Sequence, residues 1–379
     1  MGRRNVKRKQ MKPPSERKKE VKENSKENGL NEKAGDTKTP QPHSIEKLLD
    51  KAEQFIDEFK YELAQKFCQR ALELEPDNVR ALETSASLLL ELGDVESAKH
   101  CLGRAVQVSP ENGFSKYMTL GQLMEGATAV QCYQKGVELM LAEKEKRQAE
   151  EVAAACSDDR PVTDRDISSA YCAIAELYLT DLCFDEMAEE KCKDFVEKAI
   201  AVDSENAEAF QLKANFLMSK DEKEEARDCI KKSVAMWLPK LQAVDSGTIA
   251  DEDFDPVEVC PIPFTTRVQC GKILTELGEY EMATDVLETL LDEDDEVPDV
   301  WYLLGWANYL QGAEYYSNSR HYLQKGKEVY HKVKHTDASL LEHLEELLKE
   351  LGPEEESTNN NDEVPAEIES SDEEEMDHC

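Results

Sequence analysis

His331 and His335 stand four residues apart, the spacing that sets two imidazoles on one helix face as a zinc site needs. Nothing in the spacing fixes a third acidic or cysteine ligand for such a site, so both are expected on the surface. Cys68, Cys101, Cys132 and Cys229 recur at similar places, as reactive thiols or as small, weakly polar packing residues would. Packing explains the recurrence better, since a nucleophilic thiol needs a basic partner and no fixed partner accompanies them. The eleven cysteines are odd in number and never form a CxxC pair, which disfavours both a disulfide framework and a structural zinc site and points to a reducing compartment. Carboxylate pairs are everywhere because Asp and Glu number 82 against 46 Lys and Arg, so any one pair is uninformative. There is no GxGxxG, phosphate loop, HExxH or nucleophile elbow. The expectation is no enzyme, no cofactor and no metal.

These 379 residues carry a net charge of −36, spread unevenly. Residues 1–43 are net +7, poor in large apolar residues and punctuated by Pro13, Pro14, Pro40 and Pro42. Such a stretch cannot bury enough surface to offset its ordering entropy and is predicted to be disordered. Its clusters Arg3-Arg4, Lys7-Arg8-Lys9 and Arg17-Lys18-Lys19 have two readings: a nuclear-localisation signal that engages an import receptor, or a solvated basic tail with no address. Residues 353–379 hold twelve Asp and Glu and no Lys or Arg, and like charges keep such a tail extended. Ser370 and Ser371, ahead of four acidic residues, suit an acid-directed kinase. The middle, residues 44–352, keeps a net charge of −31 and a hydrophobic content sufficient for a substantial core. The start has no apolar segment behind its basic residues and Val at position 6, so neither a secretory signal nor myristoylation is expected. No apolar run reaches the roughly 18–20 residues of a membrane span. A soluble protein of cytoplasm and nucleus, too acidic to bind nucleic acid through its middle, is the resulting expectation.

A period of 34 organises the middle. Ala52 and Ala86, Ala64 and Ala98, Ala71 and Ala105, and Pro76 and Pro110 are each 34 apart. Small residues at these places let two helices approach closely, and the proline ends the second helix. Ala214, Ala226 and Ser233 fit a further unit, and Gly271, Ala283 and Leu290 another. The spacing predicts seven helix pairs starting near 45, 79, 114, 168, 207, 264 and 298, with a closing helix near 337–351. Insertions fall near 144–166 and 240–262, the second containing Asp251-Glu252-Asp253-Phe254-Asp255-Pro256. This pattern, with Trp301-Tyr302-Leu303-Leu304-Gly305 reproducing a Trp-x-x-Leu-Gly signature, resembles the tetratricopeptide repeat. The fold class expected is an all-α superhelical solenoid.

In that family the first helix of each pair lines the concave surface. The resemblance places Glu46, Glu53, Asp57, Glu83, Glu91, Glu125, Glu176, Glu208, Glu276 and Asp299 there, opposed only by Arg80 and Lys272. A groove so lined steers and retains a basic partner. Tyr302, Trp306 and Tyr309 share the groove face of the last pair, where aromatics stack on guanidinium groups or, for Trp306, bury against a neighbouring helix. Reversing Glu53, Asp57, Glu83 and Glu91 to Lys is expected to abolish partner binding and spare helical content. Gln211 and Asn215 partly echo the clamp of heat-shock co-chaperones, whose basic members are missing here.

The whole chain further resembles the dedicated assembly chaperones of large-subunit ribosomal protein L-four. The resemblance rests on the basic head, about seven repeats with an acidic insert near 251–259, the unit Leu303-Leu304-Gly305-Trp306 and the acidic tail. It implies capture of a newly made basic ribosomal protein through its long internal loop, protection from aggregation and escort to the nucleus. The alternatives from the residues are a histone-type chaperone and a scaffold joining several partners in a nuclear complex.

Overall fold

The structure, a computed structural model, describes residues 44–149, 161–245 and 260–352. The two tails, with Ser370 and Ser371, lie outside the described residues, as do 150–160 and 246–259 within the expected insertions. Among the described residues there are fifteen α-helices, one 3-10 turn and no strand. None of these helices is long and apolar enough to cross a membrane.

The chain divides into two compact units at Pro76. The first holds α1 (Ile45–Asp57) and α2 (Tyr61–Leu74). Ala52, Ala64 and Ala71 are fully buried where these helices meet, because a methyl side chain permits the approach a larger one would block. The rings of Phe55 and Phe67, 5.5 Å apart, extend the contact.

The second unit continues the same pairing: α3 (Val79–Glu91) with α4 (Val95–Val108), α5 (Ser115–Leu123) with α6 (Gly126–Ala149), and α7 (Asp164–Leu179) with α8 (Ala188–Val202). Then come α9 (Ala207–Ser219) with α10 (Lys223–Asp245), α11 (Phe264–Glu276) with α12 (Tyr280–Glu293), and α13 (Pro298–Gln311) with α14 (Tyr316–Val333). A last helix, α15 (Ala338–Leu351), ends the stack. Within this unit the second helix of each pair also packs on the first helix of the next, and α7, α9, α11 and α13 touch in succession. The pairs start within a residue of expectation except the fourth, which begins at Asp164 rather than near 168. The cause is a capping box: Asp166 N donates to Thr163 Oγ1 at 3.1 Å and Thr163 N donates to Asp166 Oδ2 at 2.8 Å, satisfying two end donors one turn earlier.

Buried hydroxyls fasten the pairs. Ser168 donates to Ala199 O across α7 and α8 at 2.8 Å, Ser233 to Ala207 O across α10 and α9 at 2.7 Å, and Ser319 to Gly305 O across α14 and α13 at 2.7 Å. Asn206 caps α9 and donates to Ser168 at 2.8 Å, which links two successive pairs. At Gly305 a Cβ would lie 2.5 Å from Leu323 Cγ, so only glycine admits α14 at this depth. Four of the turns inside pairs share one geometry, with a left-handed residue just past the first helix: Gly93 (φ 78°), Gly278 (φ 79°), and, without glycine, Phe59 (φ 56°) and Asp221 (φ 60°).

Candidate peptide-binding face

In the second unit the first helices α7, α9, α11 and α13 touch in succession, so the faces they turn away from their partners adjoin one another. Two hollows open between these helices. One, of about 220 Å³, lies among α7, α9 and α11 and is bounded by Glu176, Glu208, Gln211, Leu212, Asn215 and Ile273. The other, of about 480 Å³, lies between the α5 and α7 region and α9, with Phe114, Met118, Tyr133 and Met140 for apolar walls and Asp166 and Glu208 for acidic ones. Glu208 borders both.

Glu208 is half-buried at the first turn of α9, which Asn206 caps. Burial pushes its carboxyl above the usual range, a hydrogen bond from Ser169 Oγ at 3.2 Å pulls it back, the charge of Glu176 raises it again, and Arg165 lowers it slightly. Arg165 is itself engaged, donating to Asp203 Oδ2 at 2.5 Å and to Glu205 O at 2.8 Å. The result is two neighbouring carboxylates whose basic neighbour is already committed elsewhere. Gln211, only 4% exposed, donates Nε2 to Thr266 O at 2.5 Å, and its Oε1 has no hydrogen-bond partner.

The other expected groove residues are placed as follows. Glu46, Glu53 and Asp57 lie on α1 of the first unit, Glu46 and Asp57 exposed and Glu53 half-buried. Glu91 is exposed at the end of α3, and Glu276 at the end of α11. Glu83 on α3 belongs to packing: Lys116, wholly buried at the start of α5, sets its Nζ 4.0 Å from Glu83 Oε1 and donates to the carbonyls of Asn112 and Gly113. Burial raises the Glu83 carboxyl and lowers the Lys116 ammonium, while each charge opposes that trend in the other. A Glu83→Lys reversal would set two ammonium groups against each other, so it cannot serve as a clean binding test. Glu125 is not on a first helix: α5 is only nine residues long, and Glu125 stands exposed in the turn before α6. Asp299, in the first turn of α13, has its Oδ2 3.6 Å from His335 Nε2.

The aromatic trio is covered from within the second unit. Tyr302 and Trp306 stack at 6.2 Å, and both rings meet His343 of α15, whose Nδ1 is 2.6 Å from Tyr302 Oη. Tyr309 donates to Glu350 at 2.6 Å. These three thus hold the closing helix, which occupies the place a further first helix would take. The thiols of Cys101, Cys132 and Cys229 are pushed up by burial, the reverse of what a nucleophile needs. Among the described residues no group of three His, Cys, Asp or Glu side chains is disposed to hold a metal. What sequence reasoning missed is the polar wall of the smaller hollow. Gln211 and Asn215 stood out only as a partial echo of another clamp, and Thr266 carries no periodic signal.

A family model of the tetratricopeptide repeat matches residues 55–113. A protein of Schizosaccharomyces pombe named "Probable assembly chaperone of rpl4" is 30% identical over 291 residues, 72% of this chain and 80% of its own length. One of the same name from Emericella nidulans is 26% identical over 354 residues, 83% of this chain and 84% of its own. The solved structure of "Assembly Chaperone of RpL4 (Acl4)", residues 1–338, covers 73% of this chain and all of its own, with 27% identity and a TM-score of 0.62. With its paired helices, its closing helix and these relatives, the chain belongs to the tetratricopeptide-repeat family of assembly chaperones of rpl4.

Proposed function

We propose that this protein binds large-subunit ribosomal protein L-four, the rpl4 of its relatives' names, and masks it until assembly. The reading rests on family membership, and one observation ties it to this chain: Glu176 and Glu208 sit together on the first-helix face with their basic neighbour Arg165 already engaged. A face on which carboxylates outnumber cations attracts a polypeptide rich in them, and charges held on rigid helices guide encounter and register more than they add affinity. Covering the client's arginine and lysine residues stops them from gripping RNA or aggregating. In line with the family resemblance, the segment covered is the client's long internal loop. The activity is binding, not catalysis. The basic clusters of residues 3–19 hand the complex to a nuclear import receptor, so the protein works in both cytoplasm and nucleus.

The test is a titration of recombinant rpl4 into the full chain between about 0.1 and 0.5 M salt. Screening lengths shrink across that range, so affinity is expected to fall at least tenfold. An affinity indifferent to salt would refute the electrostatic masking role.

A further inference from the structure

We propose that the hollow between α7, α9 and α11 is the seat of a single arginine side chain of the bound polypeptide. The inference deepens the reading of this face as a binder of basic polypeptide and rests on it. It starts from Gln211. The amide nitrogen faces the carbonyl of Thr266 at 2.5 Å, and since two oxygens cannot face each other, that contact fixes which end of the amide is which. Gln211 lines the hollow with 96% of the residue buried, and its remaining amide atom, Oε1, has no donor to meet it. A buried acceptor in that state is costly until a donor meets it, and a donating ligand group would supply one.

The rest of the wall asks for the same chemistry. Glu176 and Glu208 supply carboxylates, Asn215 a further amide, and Leu212 and Ile273 an apolar strip. The hollow holds about 220 Å³, below the roughly 300–1,000 Å³ that drug-sized ligands and cofactors fill, and it suits one side chain. Acceptors converge on it while Arg165, the basic group that acts on Glu208, is turned to Asp203 and Glu205. A guanidinium brings five donors in one plane, is shed of its water more readily than an ammonium, and rides on a methylene stem that the apolar strip can hold. Lysine brings three donors on a strongly hydrated head and no plane to share among three acceptors.

The experiment uses the full chain and fluorescent peptides tiled across recombinant rpl4, with the whole protein as reference. Gln211→Met keeps the shape and removes the acceptor; Glu176→Gln, at an exposed position, guards against a folding defect in the first variant. Each is expected to weaken one tile at least fivefold with an unchanged circular dichroism spectrum. Replacing one arginine of that tile by alanine should cost the wild type the same factor, and the variant almost nothing further. Both variants binding every tile within twofold of wild type would overturn the proposal, as would coupling to a lysine in place of an arginine. A wild-type chain that binds neither whole rpl4 nor any tile would overturn the functional reading as well, and that arm separates the two failures.

Discussion

Glu208 faces opposing demands. Burial makes its charged form costly in the fold, while a cationic client needs that charge. In the unfolded chain it titrates near the ordinary glutamate value, about 4.3, and in the folded chain higher. The fold therefore favours the protonated form, so the stability linked to this group is complete below the unfolded value and is lost as pH rises through the folded one. The neighbours that set the value are Glu176 and Arg165 on α7 and the Ser169 hydroxyl. Glu208→Gln is expected to raise the Tm by about 1–2 °C at pH 7.5, a gain that fades toward pH 4.5, in scanning calorimetry. A lower Tm at pH 7.5 would mean that the Ser169 and Arg165 contacts outweigh burial. Helical position and charge made Glu176 and Glu208 legible in the sequence, but the partial burial of Glu208 depends on how neighbouring helices pack. The pairing of Glu83 with Lys116, 33 residues away, was illegible because nothing local couples the two. That is why a glutamate expected in the groove turned out half-buried beside a buried lysine.

At the level of helices and turns, the four left-handed turns invite comparison. Gly278 N and Glu279 N donate to Thr275 O and Leu274 O, Asp221 N and Glu222 N to Met218 O and Leu217 O, and Phe59 N and Lys60 N to Ile56 O and Phe55 O. The hydrogen bonding is the same, yet two turns carry a side chain where the backbone favours none. Asp221→Gly is expected to stabilise the fold by about 0.5–1 kcal/mol, read from the denaturation midpoint at unchanged slope. A loss would show that the ion pair of Asp221 with Lys223, 3.5 Å apart, outweighs the strain. Helix existence was the most legible feature, because alanines at fixed spacing and terminal prolines state it directly. The onset of α7 was less so, since Thr163 and Asp166 act through a capping box that lies before the repeat's own anchors. The brevity of α5 was likewise hidden, and with it the placing of Glu125 in a turn.

For the molecule as a whole, the closing helix matters most. Leu340, Leu344 and Leu347 of α15 are buried against Leu323 and Tyr330 of α14, and Arg320 donates to the carbonyls of Leu351 and Gly352 at 2.8 and 3.2 Å. Ending the chain before Asp337 should uncover that apolar surface together with Tyr302 and Trp306. The expected result is a Tm at least about 5 °C lower and stronger binding of a hydrophobic dye. An unchanged Tm would mean that the stack is self-sufficient at this end. The arrangement also bears on how such a chain can lengthen. A lineage that gains repeats by duplicating a 34-residue block can insert one between existing pairs, where each new unit meets neighbours of its own kind. It cannot append one after α14 without first evicting α15, so the carboxyl-terminal boundary of the array is inherited as a fixed landmark while the number of repeats upstream stays free to drift.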